Sequence, residues 1–144
     1  MFVTQILAGK ATQGVLTIDP KASISDAVAE LAARRIGALI VSADGKTAQG
    51  ILSERDIVGQ LGQQGASTLG KTVSALMTSD VKTCAPGDQA QSVLERMTEG
   101  RFRHMPVVED GILIGLISLG DVVKARLKEV SMEKDALESM ISGF

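Results

Sequence analysis

Two short stretches carry the side chains best suited to chemistry. Ser53 and Asp56 stand three residues apart in "GILSERDIV", Gly50 to Val58, and Ser118 and Asp121 repeat the spacing in "GLISLGDVV", Gly115 to Val123. A hydroxyl both donates and accepts, whereas an ionised carboxylate only accepts. Each pair follows an apolar run and precedes a helical pattern, which puts it at a helix N-terminus with unbonded backbone N–H groups. Two jobs fit that position. The Ser can cap the helix while the Asp returns to the Ser N–H, a capping box with Asp in the usual Glu place. Alternatively, the same groups form a small-molecule contact, written twice.

Other chemistries find little support. One histidine, His104, and one cysteine, Cys84, supply neither a metal-ligand cluster nor a Cys-x-x-Cys pair. Glycine is abundant, yet no Walker A sequence and no GxGxxG lies between a strand and a helix. An enzyme is therefore not expected. Lys and Arg number 15 against 17 Asp and Glu, a net charge of −2 that argues against nucleic-acid binding but leaves a local basic cluster at Arg101, Arg103 and His104. The 44% apolar content supports a folded core, and no apolar run approaches the roughly 20 residues that cross a bilayer, so no membrane association is expected. A lone cysteine fits a reducing compartment, and "MFVTQILAGKATQG" lacks the leader of a secretory signal. The expected location is cytoplasmic.

The elements that must hold the two pairs are themselves repeated. Thr17 to Gly45 aligns with Thr83 to Gly111 at a constant offset of 66, which becomes 65 after the glycine, where a turn absorbs the difference. Ser23 with Asp26, and Asp88 with Gln91, mark helix starts. Apolar residues follow at helical spacing: Ile24, Ala27, Val28, Leu31 in one copy and Ala90, Val93, Leu94, Met97 in the other. These helices are expected to stop near Gly37 and Gly100. Strands are expected at Ala38 to Val41 and Met105 to Val108, then at Gly50 to Leu52 and Leu113 to Ile117, with helices after Ser53 and Ser118. Pro106 belongs at the start of its strand or on an unpaired edge.

Each copy thus reads as a β-α-β-β-α unit with too little sheet to bury both faces alone, so the fold class is α/β with two repeats packed as one pseudo-twofold module. The division expected is 1–66 for the first motif with its lead-in and connector, and 67–144 for the second with a C-terminal helix. "GQLGQQGASTLGK", Gly59 to Lys71, reads as the connector. Val3, Ile6 and Leu7, and again Val73, Leu76 and Met77, suggest a short helical lead-in to each copy. At the C-terminus Val123, Leu127, Val130, Leu137 and Ile141 form a 4–3 pattern interrupted by Lys134, an apolar edge for a partner or for the body of the protein.

This doubled arrangement resembles a tandem pair of CBS domains, the modules named after cystathionine beta-synthase, over about Val3 to Leu127. The resemblance implies a regulatory protein, commonly a homodimer, that binds adenosine-containing ligands between its repeats. It assigns Asp56 and Asp121 to ribose hydroxyls and Ser53 and Ser118 to phosphate. It assigns the segments Thr17-Ile18 and Thr83-Cys84 to adenine, with Gly37-Ala38 and Arg103-His104-Met105-Pro106 as ligand-facing stretches. The chemistry agrees: vicinal hydroxyls donate to a carboxylate, Ser donates to phosphate oxygen, and a helix N-terminus favours an anion.

An apolar slot of Ile18, Met105 and Ile117 is the expected adenine site, and Arg101, Arg103 and His104 the expected phosphate site. AMP is the foremost ligand on this reading, with ADP, ATP or NAD(H) as alternatives; the sulfonium of S-adenosylmethionine gives less reason for the cationic cluster. Binding would change the surface offered to a regulated protein in trans. The rival reading is a ligand-independent interaction or assembly module.

Overall fold

The computed structural model describes residues 1–10 and 14–142. Its elements run α1 (Val3–Ala8), β1 (Thr17–Ile18), α2 (Ile24–Arg34), β2 (Ala38–Val41), β3 (Gly50–Ser53) and α3 (Glu54–Gln64). A 3-10 helix (Gly65–Gly70) leads to α4 (Val73–Leu76), α5 (Ala90–Gly100), β4 (His104–Glu109), β5 (Ile112–Ser118) and α6 (Leu119–Ser142). The repeated β-α-β-β-α units are therefore present and packed together. In the first, β1 pairs parallel with β2 and β2 antiparallel with β3. In the second, β4 and β5 form an antiparallel hairpin, and the first strand shrinks to a parallel bridge between Cys84 and Val107.

Local sequence explains most boundaries. Ser23 caps α2 by accepting the Asp26 N–H at 3.0 Å. The Asp110-Gly111 turn that closes the second hairpin puts both residues at positive φ, 51° and 78°, as a two-residue connection requires. Helices α2 and α5 both end on an arginine in the left-handed region, Arg35 at φ 53° and Arg101 at φ 56°. Thus α2 stops three residues before Gly37, and the position that normally favours glycine is filled by arginine in both copies, at roughly 1–2 kcal/mol each.

Three expectations change. Asp88 does not cap α5: Gln89 holds that position without a side-chain bond, and the Asp88 carboxylate instead accepts the Ala85 N–H at 2.9 Å, closing the preceding turn. Gly59 to Lys71 is not a loose connector, because Gly59 and Gly62 lie inside α3 and the 3-10 helix follows directly. Thr68 anchors that turn, fully buried, with its hydroxyl on the Gln60 carbonyl. Pro106 is the third residue of β4, neither first in its strand nor on an unpaired edge. Its carbonyl accepts from the Cys84 N–H, so its nitrogen faces the side away from β5, where the single bridge asks no donor of it.

The lead-in helices are exchanged. Helix α1 precedes the first copy in the chain but packs on the second: the Val3 N–H donates to the Asp88 carbonyl and the Ala90 N–H to the Met1 carbonyl, each at 2.9 Å. Helix α4 makes the equivalent bonds to the first copy, from the Val73 N–H to Ala22 and from the Ile24 N–H to the Lys71 carbonyl, both at 2.8 Å. These bonds satisfy the first N–H of α5 and of α2. The two hydrophobic cores follow suit. One joins Val3 and Ile6 to Val93, Met97, Met105 and Ile117. The other joins Val73 to Ile18, Ile24, Leu39 and Leu52.

Candidate functional site

Both Ser-x-x-Asp pairs form reciprocal caps. The Ser53 N–H donates to Asp56 Oδ2 at 2.9 Å and the Asp56 N–H to Ser53 Oγ at 3.3 Å. The Ser118 N–H donates to Asp121 Oδ2 at 2.9 Å and the Asp121 N–H to Ser118 Oγ at 3.1 Å. The capping role thus holds in both copies. It uses only Oδ2 of each carboxylate and so leaves Oδ1 outside the cap, although in the first copy the Ser53 hydroxyl also donates to Asp56 Oδ2 at 3.1 Å.

Each pair opens onto a cleft completed by the other copy. A wide cleft of about 1040 Å³ brings Ser118 and Asp121 together with Arg34, Arg35, Gly37 and Ala38 of the first copy. A narrower one of about 440 Å³ brings Ser53 and Asp56 together with Arg101, Arg103 and Pro106 of the second. Gly37 and His104 line both. The basic cluster after α5 therefore lines the first copy's cleft, and Arg34 and Arg35, at the end of α2, line the second copy's.

The adenine slot expected from Ile18, Met105 and Ile117 does not exist as a slot. Met105 and Ile117 are fully buried in one core and Ile18 lies in the other, so no ligand reaches all three. Thr17, Thr83 and Cys84 also line neither cleft: Thr17 pairs with Ile40, the Thr83 carbonyl accepts from Arg96, and Cys84 is core. The segments that do reach the clefts lie two residues upstream, Val15-Leu16 in the wide cleft and Val81-Lys82 in the narrow one, again 66 apart.

The two clefts differ in charge. Lys10, Arg34, Arg35, Lys124 and Lys128 line the wide one against a single acid, Asp121. In the narrow cleft Arg55, Lys82, Arg101 and Arg103 face Glu54, Asp56 and Asp80. Lys10 is specific in its placement: its Nζ donates to Asp121 Oδ2 at 2.9 Å and to the Leu116 carbonyl at 2.8 Å. Burial is the largest influence on the Asp121 carboxyl and pushes it up, but the Ser118 N–H and the Lys10 ammonium outweigh burial and hold it below the usual range. Burial likewise lowers His104, against the opposing pull of Asp121 and Glu54, so at neutral pH the imidazole between the clefts is mainly uncharged.

Lys10 gave no sequence signal, since it reaches Asp121 only through the exchange of lead-in helices. Lys124 and Lys128 did leave one: they follow Asp121 by three and seven residues, one face of a helix.

The CBS domain family model matches residues 3–62 and 73–128. The chain belongs to the CBS-domain family. The CBS-domain containing protein of Agrobacterium tumefaciens is 44% identical, with a TM-score of 0.83 over 88% of this chain and 99% of that one. A mitochondrial CBS domain-containing protein of Arabidopsis thaliana is 34% identical over 125 residues, 84% of this chain, which spans 61% of that relative's length. A CBS domain pair solved with 5′-methylthioadenosine and S-adenosyl-L-methionine shares the fold at a TM-score of 0.78 and 23% identity, over 90% of this chain and 98% of that one. CBS domain pairs are in general regulatory, non-catalytic modules. Among the described residues, no group of three or more His, Cys, Asp or Glu is placed to hold a metal, and no helix is long and apolar enough to cross a membrane.

Proposed function

We propose that this CBS pair binds adenine nucleotides in its two clefts and passes their occupancy to a partner surface. The observation that carries the reading is the cross-copy construction. Each cleft joins one copy's Ser-x-x-Asp to the other copy's post-helix arginines and strand entry, so a ligand seated there contacts both halves and changes how they pack. CBS pairs bind adenosyl ligands as a class, and one structural neighbour holds two of them. Asp121 and Asp56 are assigned to ribose hydroxyls, and Ser118 and Ser53 with the helix N-termini to phosphate.

AMP is the leading ligand, followed by ADP, ATP and NAD(H). Arg101, Arg103 and His104 are the phosphate partners of the narrow cleft. Charge favours the wide cleft for a longer phosphate tail, since five cations there face one carboxylate whereas the narrow cleft nearly balances. Calorimetric titration of ligand-stripped protein with adenosine, AMP and ATP tests the assignment. Saturable heat that Asp121→Ala and Asp56→Ala each reduce by one site supports it. Absence of heat with every adenosine ligand at several temperatures defeats it.

A second reading, a ligand-independent assembly module, is favoured by one feature. Leu127, Val130, Leu137 and Ile141 of α6 are exposed by half or more.

A further inference from the structure

Helix α6 runs for 24 residues, but only Val122 and Ala125 are buried against the body, and the family match ends at residue 128. Glu129 still pairs with the N-terminal ammonium of Met1 at 2.8 Å; beyond it the helix leaves the domain, with an apolar edge that begins at Val123. Val123 is 39% exposed, Leu127 66%, Val130 51%, Leu137 59% and Ile141 85%. These positions are displaced by about 100°, one residue, from the face that packs on the body, so that body cannot cover them. Their 4–3 spacing, with Lys134 filling the gap, is the seam that another helix fills, with Leu127, Lys134 and Ile141 at a positions and Val123, Val130 and Leu137 at d.

The charges choose the orientation. Two copies in parallel would stack Lys134 on its own counterpart and set each Glu133 beside Glu138 of the other chain, like charge against like. Antiparallel pairing centred near Met132 removes both conflicts. Leu127 then lies against Leu137, Val123 against Ile141 and Lys134 against Val130, where its stem covers apolar surface and its ammonium reaches out. Lys124 comes beside Glu138 of the second chain, once on each side. Glu133 meets its own counterpart, but with both Lys134 ammonium groups within reach.

We infer that α6 pairs antiparallel with α6 of a second copy of this chain along Val123, Leu127, Val130, Lys134, Leu137 and Ile141. Sedimentation of the full chain at micromolar concentration tests it, with no nucleotide present so that failure of the ligand assignment does not enter. Leu137→Asp, and independently Ile141→Asp, should raise the dimer dissociation constant about 30-fold or more while the thermal transition of the body stays in place. Ser131→Cys lies where the two chains cross and should form an interchain disulfide under mild oxidation. A monomer in the unsubstituted protein, a dimer that survives Leu137→Asp and Ile141→Asp, or a disulfide that forms through Lys134→Cys instead of Ser131→Cys overturns the inference.

Discussion

If Asp121 receives ribose hydroxyls, Lys10 is their competitor. Its ammonium sits on Asp121 Oδ2 at 2.9 Å, and both side chains are 28% exposed. Exposed ion pairs contribute about 0–1 kcal/mol and hydrogen bonds to charged groups about 1.5–3 kcal/mol, so a half-buried pair of this kind falls near 1 kcal/mol. Removing the ammonium should release that amount to an uncharged ligand. Lys10→Met is therefore expected to tighten adenosine about 5-fold. For AMP or ATP the gain is offset, because the substitution also removes one of the five cations that line this cleft. The assay is calorimetry of adenosine, AMP and ATP against the unsubstituted protein and Lys10→Met at one pH and salt. Asp121→Asn serves as control, and should lose the Lys10 effect. An adenosine affinity that stays level or falls in Lys10→Met would show that ribose does not use the carboxylate that Lys10 holds.

Asp121→Ala should weaken ligand binding by about 1.5–3 kcal/mol at the wide cleft, read as loss of one calorimetric site, with the narrow-cleft site unmoved. Because the folded Asp121 pKa is depressed, its contribution to stability is complete above the unfolded value and is lost as pH falls through the folded one; the difference in urea midpoint between Asp121→Asn and the parent should shrink in acid. Ile6→Ala, in a helix that precedes the first copy, should cost about 2–5 kcal/mol in urea unfolding and loosen the second copy's core. Burial pushes the Cys84 thiol up to about 12, so a disulfide reagent should leave native protein untouched at pH 8 and label it on unfolding.

The strands, the hairpin turn and both caps were legible because each depends on residues close together in the chain. Ser53 and Ser118 begin their helices as expected, and β2 spans Ala38 to Val41 as the apolar run implies. The composition of Gly59 to Lys71 misled because Thr68 anchors the turn through a bond to Gln60, eight residues back, which no composition reveals. Asp88 misled for a related reason: a lead-in carbonyl, Met1, takes the role expected of a side-chain cap. The clefts were half legible. Their aspartates and arginines were in the repeat, but which arginine serves which aspartate depends on how the copies pack. The supposed adenine slot failed on the same point, since residues alike in chemistry were sorted into different cores.

The exchange of α1 and α4 bears on how such a chain can be divided and rejoined. A half-length chain holding one lead-in and one β-α-β-β-α unit carries a helix that fits the other half better than itself. Two such halves would clasp each other, each lending its first helix across the contact, as in a domain-swapped dimer. Joining them end to end turns that reciprocal loan into an internal one and fixes the partners permanently. The halves of this protein, produced as separate polypeptides, should therefore reconstitute the clefts when mixed, though neither would build one alone.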